Sequence, residues 1–443
     1  MNLKQLITTT VFLFSYLLQH ASAREVEGMR EWVNNKGQEI TASLVSLHKE
    51  KQGGQEVAMI TFKMKRGKDV TFPVSKLSVE NQQELVEWMK IKPHGIASPS
   101  PPYSWPSQHR GKNTPNVVYE KFDEEYQAHL YKTAHFDFYI DKKISDSTVA
   151  KCVAVFDTIV DALDALPLAL DTIPSGERPR YKAILVSSAA QYMKMGGLEN
   201  SAGFFSPRQN LTVIPFKSLG IIQKGNKWVF DGKNRSFETL LHELTHQSTQ
   251  HWYGMPPWFQ EGLAEYISVM PYRSGRFLFN KPGRAIADKL LKYKPQKIPR
   301  GSFIIFRSST RSLFSDGIFQ MRDVENLLKT DHKTWNSMFT EDSTTAHANY
   351  ASSMVLAYFF MHEDGAGDGH NLIQWMHAWR GAVLARNTAQ ADTLIKQHLL
   401  RGRSYGELEE EIISAMAKKG IRMEFKKYRS NSTQQRRPHP FER

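Results

Sequence analysis

Cysteine is nearly absent: Cys152 is the only one in 443 residues. That excludes an internal disulfide framework and any zinc site built on thiolates. Acidic residues are also in short supply, 45 Asp and Glu against 58 Lys and Arg, which leaves a formal charge of +13. Much of that excess is local, because residues 426–443 hold six basic side chains and one Glu. A basic terminal run of this composition reads as a solvated, disordered tail rather than a nucleic-acid site. An anionic envelope surface is the partner such a tail would suit. Long apolar runs are lacking too. The longest, Leu6 to Leu18, falls short of the roughly 20 residues that a membrane span needs. Proline is scarce except in one place, since six of the twenty lie in residues 93–116.

These gaps divide the chain. Lys4, the apolar stretch and Ala21-Ser22-Ala23 read as an export signal over residues 1–23, with a mature chain starting near Arg24 and working in a secreted or periplasmic setting. No Cys follows the stretch, so nothing supports a lipid anchor. Residues 93–116, with Ser98-Pro99-Ser100-Pro101-Pro102, read as an extended linker. Before it lies a small unit, 24–92. Ile40, Ala42 and Leu44 alternate, as do Val57, Met59 and Thr61, and then Val70, Phe72 and Val74. Turn signals fall at Asn34-Asn35-Lys36-Gly37, Gly53-Gly54 and Arg66-Gly67-Lys68, and Ser78 is placed to cap a short helix that turns Leu85, Trp88 and Met89 inward. Short strands around basic turns predict a small SH3-like β-barrel.

The remaining unit, 117–425, reads as α+β, with a mixed sheet followed by a helical C-terminal part. His135–Ile140 alternates like a strand, and residues 146–165 form an amphipathic helix through Val149, Val153, Phe156, Ile159 and Leu163. Cys152 lies in that pattern as a buried structural thiol. Residues 181–186 predict a second strand. After a turn at Ser206-Pro207-Arg208-Gln209-Asn210, Leu211–Phe216 predicts a third. Residues 351–360 form an apolar run, and 368–425 predict two or three further helices.

Within this unit stands His242-Glu243-Leu244-Thr245-His246. Residues four apart on a helix differ by roughly 40° of rotation and one turn of rise, so both imidazoles project from one face. They can share a Zn²⁺, with Glu243 beside them as the base that takes a proton from the attacking water. The competing reading is a helix that happens to carry two histidines. Phe237, Leu240, Leu241 and Leu244 weaken it, because they supply a core-facing stripe with no Pro or Gly over 236–250. Gly254, Pro256 and Pro257 then break the chain, and a second helical pattern carries Glu261, a carboxylate suited to be the third ligand.

The first helix followed by Trp258-Phe259-Gln260-Glu261-Gly262-Leu263-Ala264-Glu265-Tyr266 resembles the gluzincin metallopeptidases, the group that includes thermolysin and the aminopeptidase N family. It resembles more strongly still a set of secreted bacterial gluzincin-like proteins of largely unassigned substrate, which share the short gap between the two motifs. The resemblance implies His242, His246 and Glu261 as ligands, Glu243 as general base, peptide-bond hydrolysis assisted by zinc, and Leu211–Phe216 as the sheet-edge strand along which an extended peptide lies. It also implies a downstream Tyr or His that donates to the oxyanion, and Tyr350 is the candidate, with His347 next. Glu265, one turn after Glu261, is placed to orient a ligand histidine, and Glu238, one turn before His242, is a candidate for the same work; the competing reading of each is a solvated helix-face charge. Gly196-Gly197-Leu198-Glu199-Asn200 faintly resembles the segment by which aminopeptidases hold a free amine, with Leu198 in place of Met.

In the small unit, Arg30-Glu31-Trp32, Gly67-Lys68 and Val74-Ser75-Lys76-Leu77-Ser78 resemble the Sla homology domain of endocytic adaptors, which implies binding of short peptides. Three activities fit: a secreted zinc endopeptidase acting on proteins or peptides, an aminopeptidase of the same chemistry, and a catalytically silent zinc-containing scaffold that binds peptides or the envelope through its small unit. Intact Glu243 favours the first two, since ion binding alone does not need the base.

Overall fold

The computed structural model describes residues 30–426, apart from 53–54, 65–67, 79, 83–84, 86–102, 112–114, 171, 173, 175–179, 200, 208, 232–236, 253, 295–312, 342 and 385–389. Residues 1–23, read above as an export signal, the basic stretch from 427 onward, Trp88 and Met89 lie outside the described residues.

The small unit is an antiparallel meander of β1 (Arg30–Val33), β2 (Glu39–Gln52), β3 (Gln55–Met64) and β4 (Asp69–Pro73), in that spatial order. Trp32, Leu44 and Phe62 centre its core, where Trp32 lies 4.5 Å from the Phe62 ring and donates its indole N–H to the Ala42 carbonyl. Ile60 and Phe62 are the core residues, paired across the sheet with Leu47 and Leu44, while Thr61 faces out and shares a hydrogen bond with Thr71. A bulge between Leu44 and Ser46 shifts the register of the pairing.

Among the described residues the sheet stays open, and no closed barrel forms. β4 ends at Pro73, which has no N–H to extend a ladder, and a 3-10 turn at Val74–Lys76 follows. The chain then returns to β1 through one bridge, Asn34 to Leu77. The Ser78 hydroxyl accepts from the Asn81 N–H, as expected of a cap, and Leu85 is fully buried.

Part of the expected linker belongs to the larger unit. Tyr103 is buried in the main core, and Trp105 donates its indole N–H to the Asp368 carbonyl. β5 (Gln108–Arg110) pairs with β15 (Arg276–Leu278), which pairs in turn with β14 (Tyr272–Arg273). Proline punctuation marked the composition of 93–116 but not the aromatic anchors inside it.

The main sheet has six strands, β6 (Val118–Asp123), β7 (Ala128–Lys132), β8 (Phe136–Ile140), β9 (Tyr181–Val186), β10 (Phe204–Ser206) and β11 (Leu211–Pro215), in the order β10-β11-β9-β8-β7-β6. β8, β9 and β11 run parallel, with antiparallel strands on both flanks. β11 is therefore interior, and the edge is β10. Residues 211–214 are buried, as a central strand requires, and β10 pairs antiparallel outside them.

α1 (Asp146–Asp164) connects β8 to β9, with Val149, Val153, Phe156, Ile159 and Leu163 all buried and the Ser145 hydroxyl capping Thr148 N–H. Cys152 is buried beside them. α2 (Ala189–Lys194) and the hairpin β12 (Ile221–Lys224) and β13 (Lys227–Phe230) lead to α3 (Phe237–Ser248) and α4 (Pro257–Val269). The C-terminal part holds α5 (Pro282–Leu291), α6 (Val324–Lys329), α7 (His332–Glu341), α8 (Ser343–His362), α9 (His370–Leu384), α10 (Ala391–Leu394) and α11 (Tyr405–Ala417). β16 (Phe314–Ser315), β17 (Ile318–Arg322) and β18 (Met423–Lys426) form a small sheet there, so 368–425 ends in a strand as well as helices.

α8 is buried along residues 351–360 and lies directly against α4. The contact is close because Gly262 has no side chain: a Cβ there would sit 2.5 Å from the Ser353 carbonyl oxygen and 3.0 Å from Ala357 Cβ. Gly262→Ala is expected to push α8 off α4 and cost about 1–3 kcal/mol, as overpacked cores do, measured as a lowered midpoint in chemical denaturation.

Candidate metal centre

α3 is held in place before its histidines are considered. Leu240, Leu241 and Leu244 are buried toward the core. The Gln247 side chain, fully buried, donates to the Lys182 carbonyl of β9 at 2.8 Å and accepts from the Thr212 hydroxyl of β11 at 2.7 Å. Those bonds tie the helix to the sheet at two strands, and His242 and His246 project from a different face. α4 starts at Pro257, whose missing N–H costs nothing in the first turn, and it presents Glu261 to the same point.

Three ligand atoms converge. His242 Nε2 and His246 Nε2 are 3.0 Å apart, and Glu261 Oε2 lies 3.3 and 3.2 Å from them. Among the described residues these form one group of His, Cys, Asp and Glu side chains able to share a metal ion. A tetrahedral zinc with ligands at 2.0–2.1 Å would separate its donors by about 3.3–3.4 Å, so the triangle is close to the size that ion needs. Two imidazoles and one carboxylate also match zinc chemistry better than the all-oxygen sets of calcium or magnesium.

Behind the triangle is a second layer of charge. Glu265 Oε1 lies 3.2 Å from His242 Nδ1, close but not aligned as a full hydrogen bond. Glu265 Oε2 is 3.9 Å from Lys289 Nζ, Lys289 pairs with Glu238, and Lys292 reaches Glu238 at 3.3 Å. Burial alone disfavours the charged form of His242, yet its contacts with Glu261 and Glu265 outweigh it and raise the imidazole well above the ordinary histidine range. Burial also opposes ionisation of Glu261 and Glu265, but the two histidines hold Glu261 far below the usual carboxylate range, and His242 with Lys289 lowers Glu265. An arriving ion thus competes with a proton held on His242. Lys289 and Lys292 pair with Glu238 and Glu265, which leaves the carboxylates of Glu243 and Glu261 without a lysine partner. Two negative charges are left for a divalent ion to neutralise.

One side of the cluster opens into a cavity of 380 Å³ lined by Glu243, His246 and Glu261 and by apolar Leu170, Met255 and Phe259. Glu243 Oε2 accepts the Phe205 N–H of edge strand β10 at 2.9 Å. That N–H points away from β11 and aims the carboxylate into the cavity. Tyr350 sits edge-on to His242, ring centroids 5.8 Å apart. Burial, then the charges of Glu261, Glu265 and Glu243, push its phenol up, so it stays a donor.

The other candidates separate from the cluster. His347 is exposed, with its ring 6.4 Å from that of Tyr293. Glu199 is exposed in the turn after α2 and does not line the cavity. Glu238 binds lysines rather than a histidine ligand. Sequence reasoning missed Lys289, because nothing in its local pattern announces a partner, and His332, which lines the cavity with its Nε2 on the Met255 carbonyl.

Glu265→Gln is expected to weaken zinc binding by about 10–100-fold, read by competition with a chromogenic chelator, and His246→Ala to abolish it. Comparison with protein-family models gives no match for this chain, and comparison with curated proteins gives none either.

Proposed function

We propose that the chain is a zinc-dependent peptidase in which His242, His246 and Glu261 hold the ion and Glu243 is the general base. The observation that carries this reading is the triangle of donor atoms with one open side, facing the cavity into which Glu243 is turned. The ion, when bound, supplies Lewis acidity that lowers the pKa of water and polarises the substrate carbonyl. Glu243 takes the proton from the attacking water and delivers it to the leaving amine. The Phe205 N–H keeps that carboxylate in register with the edge of the sheet, where an extended peptide can add its own backbone hydrogen bonds. Tyr350, protonated beside His242, donates to the developing oxyanion.

The apolar side of the cavity suits a substrate side chain more than a free charged terminus. With Glu199 exposed on a loop, nothing described near the ion would anchor an α-amine, so the endopeptidase reading is the better supported of the two. Among the described residues no helix is long and apolar enough to cross a membrane. Residues 1–23, read as an export signal, direct this activity outside the cytoplasm. The small unit is assigned, on its sequence resemblance alone, to binding short peptides or the envelope.

Glu243→Gln is expected to keep its zinc while losing cleavage of a diverse peptide library by about 10²–10⁴-fold. Tyr350→Phe should lower kcat by about 10²–10³-fold with little change in KM. Equal inertness of wild type and Glu243→Gln across the library, at full zinc loading, would instead favour the scaffold role.

A further inference from the structure

Lys289 is the one cation that touches both carboxylates behind the histidine ligands among the described ion pairs. Its side chain is 16% exposed, whereas that of its neighbour Lys292 is 66% exposed. It lies over the Tyr293 ring at 5.8 Å, comes from α5, and bridges Glu238 of α3 to Glu265 of α4. It therefore ties together the two helices that carry the ligands, at a point one layer behind His242.

We propose that Lys289 is a built-in counter-cation of the metal centre, a positioning residue that holds Glu265 and Glu238 together before the ion arrives and moderates the hold on the ion afterwards. The inference rests on reading the triangle as a divalent-ion site. Its physical basis is charge. Without Lys289, Glu238 and Glu265 would lose the cation they share, leaving only the exposed Lys292 beside Glu238 and His242 beside Glu265. The ion-free centre would be strained by like charge, and an incoming ion would be drawn in more strongly. A role in packing alone would lower stability by the same amount with and without the ion.

The test uses the full chain, stripped with chelator, and reads two quantities: the Tm without and with zinc, and zinc affinity by chelator competition. Lys289→Met is expected to lower the ion-free Tm, to widen the gain in Tm on adding zinc, and to tighten zinc binding by about tenfold. Glu238→Gln, which frees Lys289 to lean on Glu265, should move affinity the opposite way, and this pair of opposite signs keeps the test decisive even if Lys289→Met folds poorly. Lys289→Arg should restore wild-type behaviour, and Lys292→Met should change little. Shifts of the same sign in Lys289→Met and Glu238→Gln, or an unchanged zinc-dependent gain, would overturn the role of Lys289. A wild-type chain with no gain in Tm from zinc would instead overturn the metal reading itself.

Discussion

Three electron-rich atoms held about 3 Å apart in a largely buried site are the constraint on which the rest of this molecule turns. Left alone, two imidazole nitrogens and a carboxylate oxygen at that spacing repel, unless a proton or a cation lies between them. The fold must therefore supply two things: rigid supports that keep the atoms close, and a charge that makes closeness favourable. α3 gives two of the atoms because its i and i+4 positions share a face. α4 gives the third only because it crosses α3 at that point.

That crossing depends on packing far from any ligand. Gln247 pins α3 to β9 and β11 through buried hydrogen bonds whose loss would strand a carbonyl and a hydroxyl inside the protein. Gly262, next to Glu261, lets α8 lie against α4 with no side chain between them. The Trp258 and Tyr266 rings fill the core on either side of Glu261, fully buried. Glu261 is thus carried by a helix fixed by its neighbours on both sides. The charged layer behind it, Glu265 with Lys289 and Glu238, compensates burial that would otherwise favour protonated carboxylates.

How much was legible in the residues varied with the range of the interactions. The helix of His242 and His246, the α1 stripe and the turn at 206–210 follow from periodicity and turn chemistry, which act over a few residues. Misplacements came where two distant segments compete for one position. The resemblance put Leu211–Phe216 at the sheet edge, yet β10 pairs outside it. Tyr103 and Trp105 sit in a proline-rich stretch, but their partners lie more than 250 residues away in sequence, at Gln374 and Asp368.

Residue chemistry and local spacing, read from the chain alone, determined that two histidines share a helix face with a carboxylate beside them, and that a second helix carries Glu261 and Glu265. They determined the α+β class and the separation of a small strand-rich unit from a larger one. Only the tertiary structure decided that Glu261 comes within about 3 Å of both imidazoles, that β10 rather than β11 offers the free edge to Glu243, and that Lys289 stands behind His242. The reason is that side-chain direction on one helix is a local property, whereas the crossing of two helices is set by every contact that packs them.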